Sequence, residues 1–205
     1  MTAKKKYKYE YILVDIDTQN DFMNPNGSLY MQDSDVRIPN VVRLIEWAGR
    51  SGIPVLSTQD SHVENDPEFE QFPPHCVIGT WGQQKIPGTL LEPHKVVNCQ
   101  GEAVDVRTVF DTCRQLIFEK PTLDLFDNPS AEKVMAELSP EYFVVAGVAT
   151  DYCVKIVVED LLKLNKNVIL VIDAIEGVDK AKSEAIITGL RSRGVRMITT
   201  DEIAG

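Results

Sequence analysis

Short apolar runs alternate with amphipathic segments along the chain. The first run, residues 11–14, is continuously apolar and ends at Asp15-Ile16-Asp17, which is typical of a strand buried on both faces of a parallel sheet. Residues 38–52 carry apolar positions at helical spacing and end at Gly52, a common helix terminator. The same alternation predicts strands at 53–57, 116–118, 142–146, 168–172 and 195–198, helices at 130–138, 151–164 and 180–193, and a short extra strand at 94–98.

Strands that alternate with helices of similar length indicate an α/β fold with a doubly wound parallel sheet covered on both faces. No repeat or change of composition divides the chain, so we predict one domain over residues 1–205, with residues 1–9 as a flexible tail. One connection, residues 60–93, is long, polar and proline-rich, and such connections often carry function. Ligands of these sheets bind beyond the carboxyl ends of the strands. The strand ends here are Asp17, Asp60, Glu119-Lys120 and the segment 147–153.

Composition and charge narrow the function classes. Of the 205 residues, 43% are hydrophobic and 25% charged, as in ordinary globular proteins. The formal net charge of −10 argues against binding to nucleic acid or to anionic membranes, since both require concentrated positive charge. The amino-terminal residues lack the apolar core of a signal peptide, and the four cysteines form no CxxC pair. We therefore expect a cytoplasmic protein with reduced thiols and a small-molecule partner.

The segment GVATDYC, residues 147–153, lies at a predicted strand-to-helix turn and places Cys153 in the first turn of the helix. Free backbone N–H groups and the helix dipole at such a position favour a thiolate and can hold an oxyanion. Cys153 is therefore a candidate nucleophile, and the alternative is a buried structural cysteine. At neighbouring strand ends, Asp17 could accept the thiol proton and Lys120 could stabilise the thiolate. Each also has an ordinary alternative, Asp17 as a turn residue and Lys120 as a solvated strand end.

The long acidic connection contains two of the three histidines. It holds Asp60-Ser61-His62, several further carboxylates, and Pro73-Pro74-His75-Cys76. In an extended backbone the Asp-x-His alternation points both side chains the same way, and mixed carboxylate and imidazole ligands suit zinc, iron or manganese. Such a set with open water positions is the catalytic type of metal site. The alternative is a solvated acidic loop with incidental histidines.

Together these motifs resemble the isochorismatase-like cysteine hydrolases, and within them most of all the nicotinamidases. The matching segments are VDIDTQNDF at 14–22, DSH at 60–62, FPPHC at 72–76, EK at 119–120 and GVATDYCVK at 147–155. The resemblance implies a three-layer α/β/α fold with a six-stranded parallel sheet. It also implies a catalytic triad in which Asp17 is the general base, Lys120 the lysine and Cys153 the nucleophile.

The resemblance further implies a cis peptide between Val148 and Ala149, which would make the amides of Ala149 and Cys153 an oxyanion hole. Phe22 is expected to stack on the substrate ring. Phe72 occupies the aromatic position ahead of the Pro-Pro-His turn.

One divalent metal ion is implied, with zinc the first expectation and iron or manganese as alternatives. The implied ligands are Asp60, His62 and His75. Many nicotinamidases supply a third histidine before the Pro-Pro-His turn, and this sequence has none there. Glu68 resembles the glutamate that some members carry at this point, and Glu64 or Glu70 could take its place.

The leading hypothesis is hydrolysis of nicotinamide to nicotinate and ammonia through a thioester on Cys153. The alternatives are another small-amide hydrolase of N-carbamoyl, ureido or maleamate type, and an isochorismate-type hydrolase. A catalytically silent metal-binding scaffold is the alternative outside enzymes, and the presence of all three triad residue types argues against it. The family also implies a homo-oligomer.

Overall fold

The structure is a computed structural model that describes residues 8–205. Residues 1–7 of the predicted tail lie outside the described residues. Its last two residues contact the domain: Lys8 Nζ donates a 2.8 Å hydrogen bond to the Arg107 carbonyl oxygen, and the Tyr9 ring meets Phe110 edge-on at 6.1 Å.

A parallel sheet of seven strands forms the centre of the molecule, in the order β3-β4-β2-β1-β5-β6-β7. The strands are β1 (Tyr11–Ile16), β2 (Val55–Asp60), β3 (His94–Val97), β4 (Gln115–Lys120), β5 (Tyr142–Val148), β6 (Val168–Glu176) and β7 (Arg196–Ile198). The predicted α/β class is confirmed. The strand number implied by the resemblance, six, is wrong by one, because the short segment predicted at 94–98 pairs with β4 and extends the sheet edge.

Helices cover both faces of the sheet and complete three layers. They are α1 (Asn20–Met23), α2 (Ile38–Ser51), α3 (Val109–Thr112), α4 (Ala131–Glu137), α5 (Lys155–Lys163), α6 (Lys180–Ser192) and α7 (Thr200–Ala204). Residues of α1, α2 and α7 pack in one hydrophobic cluster, and residues of α3 to α6 pack in the other. Alternate residues of β1 divide between them, with Leu13 in the first cluster and Ile12 and Val14 in the second. None of residues 8–205 belongs to a helix long and apolar enough to cross a membrane.

The predicted helix at 151–164 begins later than the sequence suggests. Residues Thr150–Val154 form a wide π-type turn in which Tyr152 has φ −127° and ψ −105°, and the regular helix α5 starts at Lys155. Cys153 thus lies in the turn before the helix rather than in its first turn. The apolar periodicity continues through both segments and could not separate them.

Strand order reverses around β1, which lies between β2 and β5. The carboxyl ends of these central strands meet closely, and Gly147 at the end of β5 pairs with Ile16 at the end of β1. Gly147 has φ +114°, and a Cβ there would lie 2.1 Å from the Ile16 carbonyl oxygen. Only glycine permits this approach, which brings the turn after β5 beside the residue that follows β1.

Candidate active site

Lys120, the last residue of β4, is fully buried and lies among three candidate functional groups. Its Nζ is 3.0 Å from Asp17 Oδ2 and 3.6 Å from Cys153 Sγ, and it also forms an ion pair with Asp60 Oδ1. The Thr122 carbonyl oxygen accepts a further hydrogen bond from Nζ at 3.0 Å. The structure therefore brings together the three residues predicted from separate strand ends and joins them to Asp60.

Burial and charge set the protonation of this cluster. Burial alone would lower the pKa of Lys120, but the Asp17 and Asp60 carboxylates outweigh it and raise that pKa well above 10.5. Burial raises the pKa of Asp17, and Lys120 offsets only part of the effect. Burial also raises the pKa of Cys153 well above 9.0, because Lys120 does not compensate for desolvation and two nearby carboxylates. Burial therefore opposes ionisation of the Cys153 thiol, and Lys120 offsets part of that effect.

Asp17 is held by Thr58, a residue that sequence reasoning did not identify. The Asp17 backbone has φ +48°, and its N–H donates to Thr58 Oγ1 at 3.1 Å. The Thr58 hydroxyl in turn donates to Asp17 Oδ1 at 2.5 Å. Thr58 lies within strand β2, where threonine is an ordinary strand residue, so the sequence carries no signal for this role.

The turn after β5 places Cys153 at the wall of a cavity. The Val148–Ala149 peptide bond is cis. The N–H groups of Tyr152 and Val154 both donate to the Ala149 carbonyl oxygen, at 3.1 and 3.0 Å. These bonds hold the wide turn together, so Cys153 faces the cavity while remaining 5% exposed.

Asp60, His62 and His75 form a buried group whose ligand atoms all lie within 4.8 Å of one another. His75 Nδ1 donates to the Pro73 carbonyl oxygen at 2.8 Å, and its Nε2 lies 3.9 Å from Asp60 Oδ2. His62 Nε2 lies 3.8 Å from the same oxygen and has no hydrogen-bond partner among residues 8–205. Buried imidazole nitrogens without partners beside a carboxylate fit a divalent cation.

Of the three glutamates considered as a further ligand, only Glu68 faces this group. Its Oε1 is 3.9 Å from His75 Nε2, and burial raises its pKa. Glu64 and Glu70 are exposed. Asp66, which the sequence did not single out, places Oδ2 3.1 Å from His62 Nδ1, an ion-pair contact rather than a well-aligned hydrogen bond.

One cavity of about 370 Å³ is lined by Asp17 and Cys153, which contact Lys120, and by Asp60 and His75 of the candidate metal site. Phe22 and Phe72 both line it, with ring centroids 5.4 and 6.3 Å from His75. Tyr152, which sequence reasoning missed, packs edge-on against Phe72 at 6.3 Å. The lining residues are Asp17, Phe22, Leu29, Tyr30, Met31, Gln32, Asp60, Glu68, Phe72, His75, Leu123, Val148, Ala149, Tyr152, Cys153 and Val178. The lining of the cavity is therefore mainly apolar and aromatic, and it includes Asp17, Cys153, Asp60 and His75.

Two segments at the mouth of the cavity were also missed, residues 29–32 and Val178. The carboxylate of Asp151 accepts hydrogen bonds from the N–H groups of Val178 and Asp179, at 2.9 and 3.0 Å. Loop residues of this kind have no periodic signal, so only the tertiary structure shows that they border the site.

The chain matches the isochorismatase domain family over residues 11–101 and 100–202. It is 29% identical over 182 residues to a nicotinamidase of Escherichia coli, covering 80% of this chain and 82% of that protein. A probable inactive nicotinamidase of Arabidopsis thaliana is 24% identical over 200 residues, covering 93% and 92%. Among solved structures, a pyrazinamidase of Pyrococcus horikoshii in complex with zinc superposes with a TM-score of 0.74 at 26% identity, covering 93% of this chain and 99% of that one.

Proposed function

The chain belongs to the isochorismatase domain family, and on that premise we propose that it is a metal-dependent cysteine amidohydrolase that converts nicotinamide and water to nicotinate and ammonia. The observation that carries the proposal is the position of Lys120 Nζ, 3.0 Å from Asp17 Oδ2 and 3.6 Å from Cys153 Sγ. This cluster opens on the same cavity as Asp60 and His75. A nucleophile, a base and a cation-binding group therefore face one small substrate.

In the first half-reaction the Cys153 thiol gives its proton to Asp17 as the sulfur attacks the carboxamide carbon. The raised pKa of the thiol means that the thiolate forms only with this transfer, and the charged Lys120 beside both groups stabilises it. The carbon–nitrogen bond then breaks, and Asp17 returns the proton to the leaving ammonia. This leaves a thioester on Cys153.

In the second half-reaction a water attacks the thioester while Asp17 accepts its proton. The carbon–sulfur bond breaks, nicotinate forms, and the proton returns to the Cys153 sulfur. Burial raises the pKa of Asp17, which strengthens it as the base that accepts this proton and later returns it.

In each half-reaction the carbonyl oxygen of the substrate becomes negatively charged, and hydrogen-bond donors are needed to stabilise it. We assign this role to the backbone N–H groups of Ala149 and Cys153, in the turn that begins at the cis peptide. Donors fixed in a buried turn stabilise a developing charge strongly, since they need no reorganisation during the reaction.

The buried Asp60, His62 and His75 would hold one divalent ion, with Glu68 as the further ligand from the cavity wall. Bound there, the ion supplies a Lewis acid that orients and polarises a coordinated atom. Zinc is the first candidate because the Pyrococcus pyrazinamidase is in complex with zinc, and iron and manganese also suit these ligands. Phe22 and Phe72, with rings near His75, would hold the substrate ring against this group.

The lining of the cavity favours a neutral aromatic amide over the alternatives. Among the described residues that line it, the acidic side chains are Asp17, Asp60 and Glu68, and none of these lining residues is a lysine or an arginine. A substrate that carries its own carboxylate would meet these three acidic groups without a lysine or arginine on the cavity wall to pair with. This disfavours isochorismate, N-carbamoyl or ureido acids and maleamate as substrates.

The silent-scaffold alternative has one specific support, the Arabidopsis relative described as probably inactive. Against it, Lys120 contacts both Asp17 and Cys153, and a scaffold has no need of three buried complementary groups beside a cavity. We also propose a homo-oligomer and a cytoplasmic location; light scattering on the purified protein and fractionation of the source cells test these two points.

Ammonia release from nicotinamide tests the function, in parallel with pyrazinamide, maleamate and a panel of ureido acids, before and after chelation. We expect turnover of the two aromatic amides, lost on chelation and restored by zinc, iron or manganese. The variant Cys153→Ala should abolish turnover, while Cys113→Ala, another buried cysteine, should retain it. Metal-loaded protein that releases no ammonia from nicotinamide would disprove the proposed substrate, and a fully active Cys153→Ala would disprove the nucleophile.

A further inference from the structure

Asp17 directly follows the last residue of strand β1, and its backbone N–H bonds to the side chain of Thr58. Strand β1 ends at Ile16. Asp17 has φ +48°, and its N–H donates to Thr58 Oγ1 at 3.1 Å. Thr58 is 1% exposed, so no solvent competes for its hydroxyl. The hydroxyl oxygen thus fixes the position of the Asp17 backbone.

The same hydroxyl also selects one carboxylate oxygen. A threonine hydroxyl has a single hydrogen, and with its oxygen accepting from the Asp17 N–H, that hydrogen is donated to Asp17 Oδ1 at 2.5 Å. A hydrogen bond to a carboxylate is charge-assisted and stronger than a neutral one. Thr58 therefore binds Asp17 at two points, and the carboxylate cannot rotate without breaking one of them.

The other carboxylate oxygen of Asp17, Oδ2, is left available to accept a proton. It makes no hydrogen bond of good geometry with any group in residues 8–205, although Lys120 Nζ lies 3.0 Å away in an ion pair. Cys153 Sγ is 3.6 Å from the same Nζ.

We propose that Thr58 is a positioning residue that holds Asp17 by its backbone and by Oδ1, so that Oδ2 is the atom that accepts the Cys153 proton. The role of Asp17 as base rests on the proposed function. Thr58 acts through Asp17 and touches neither the substrate nor the sulfur. The proton moves from Sγ to Oδ2 and back to the leaving nitrogen, and the Thr58 hydrogen stays on its own oxygen throughout.

The test compares Thr58→Val, which keeps the shape and removes the hydroxyl, with Thr58→Ser, which keeps the hydroxyl. Thr89→Val is the matched control, because Thr89 is equally buried and its hydroxyl donates only to the Ile86 carbonyl oxygen at 2.8 Å. For nicotinamide we expect Thr58→Val to lower kcat by about 10- to 100-fold, part of the usual contribution of general acid–base catalysis, with KM within about twofold. Thr58→Ser should stay within about threefold of the parent, and Thr89→Val should leave kcat unchanged.

A second measurement needs no substrate. Alkylation of Cys153 by iodoacetamide in the zinc-loaded protein, followed by mass spectrometry of its peptide, reports how readily the thiol loses its proton. We expect the alkylation rate to fall several-fold in Thr58→Val and to recover in Thr58→Ser, with zinc content unchanged. If Thr58→Val does not fold, Thr58→Ala removes the same hydroxyl and replaces it in both measurements.

The two measurements separate the two proposals. Parent protein that does not hydrolyse nicotinamide, together with alkylation that still depends on the Thr58 hydroxyl, would overturn the substrate and support the positioning role. Folded Thr58→Val that alkylates and turns over at the parent rates would overturn the positioning role and leave the substrate intact. An equal loss of kcat and of alkylation rate in Thr58→Val and Thr89→Val would also overturn the positioning role. That result would be a general effect of removing a buried hydroxyl.

Discussion

The side chain of Gln19 binds the backbone of Asp60 as a neighbouring strand would. Gln19 Oε1 accepts from the Asp60 N–H at 2.8 Å, and Nε2 donates to the Asp60 carbonyl oxygen at 2.9 Å. Nε2 also donates to the Gln83 carbonyl oxygen at 2.9 Å, and the Gln19 N–H donates to the Asp17 carbonyl oxygen at 2.8 Å. One buried residue therefore sets the spacing between the proposed base and a proposed metal ligand.

Replacing Gln19 by glutamate should weaken metal binding. Glutamate keeps the size but directs an oxygen at the two carbonyl oxygens that now accept from Nε2, so the Asp60 backbone must shift. We expect zinc affinity to fall about 10- to 100-fold, the usual cost of disturbing a group that supports a ligand. Competition titration with a chromophoric chelator measures it. Gln84→Glu, at an exposed position in the same connection, is the control, and equal affinities for both variants would contradict the role of Gln19.

Glu68→Gln tests the further metal ligand. Glu68 Oε1 is 3.9 Å from His75 Nε2, whereas Glu70 is exposed two residues away. If Glu68 is a ligand, loss of its charge should lower zinc affinity at least tenfold, while Glu70→Gln should leave it unchanged. Isothermal titration of the metal-free protein distinguishes the two variants. The reverse order of affinities would assign the ligand to Glu70.

The pH dependence of kcat/KM should show the raised pKa of Asp17. As a base Asp17 must be ionised in the free enzyme, and burial raises its pKa, so activity should fall on acidification at a higher pH than for an exposed aspartate near 3.9. The groups facing it are Lys120, Asp60, Thr58 and Cys153. Lys120 should cause no alkaline loss below its ordinary range, because its pKa is raised well above 10.5. Profiles from about pH 4 to 9, with metal content assayed at each point, measure this. An acid limb at the ordinary aspartate pKa would contradict it.

Gly147→Ala should destabilise the domain strongly. The added Cβ would lie 2.1 Å from the Ile16 carbonyl oxygen, and φ is +114° there. We expect the free energy of unfolding to fall by about 2 kcal/mol or more, from steric overlap and an unfavourable backbone conformation together. Gly189→Ala, in helix α6 with open space around it, should raise stability by up to about 1 kcal/mol. Urea denaturation of both variants is the measurement, and similar values for the two would contradict the close approach.

Lys85→Met should lower the free energy of unfolding, because it breaks a second buried ion pair, between Lys85 and Asp15. Lys85 Nζ lies 2.7 Å from Asp15 Oδ2, with side chains 4% and 1% exposed. Removing the cation leaves Asp15 buried with only the Ser57 hydroxyl, which donates at 2.9 Å, so we expect a loss of about 3–5 kcal/mol in unfolding free energy. The double variant Asp15→Leu/Lys85→Met should recover most of it.

A surface pair gives the control for that prediction. Lys95 and Glu102 form a 3.1 Å ion pair with side chains 40% and 47% exposed, and Lys95→Met should cost less than about 1 kcal/mol. A small loss for Lys85→Met, similar to that of the surface variant, would show that Lys85 does not compensate the buried Asp15 carboxylate.

The sequence predicted the fold class and most of the elements because buried parallel strands and amphipathic helices leave strong periodic patterns. It also placed Asp17, Lys120 and Cys153 at the carboxyl ends of three strands, and parallel strands bring those ends to one edge of the sheet. It missed the late start of α5 at Lys155, because the apolar spacing runs unchanged through the π-type turn before it.

What the sequence determined by itself was which chemical groups reach the carboxyl edge of the sheet, because that depends on residue type and strand order. The tertiary structure decided how those groups are paired and protonated. It showed that Glu68 rather than Glu64 or Glu70 faces His75, that Thr58 binds Asp17, and that burial raises the pKa of Cys153. Such properties depend on distances between side chains from distant segments and on the loss of solvent around them, neither of which leaves a local pattern in the chain.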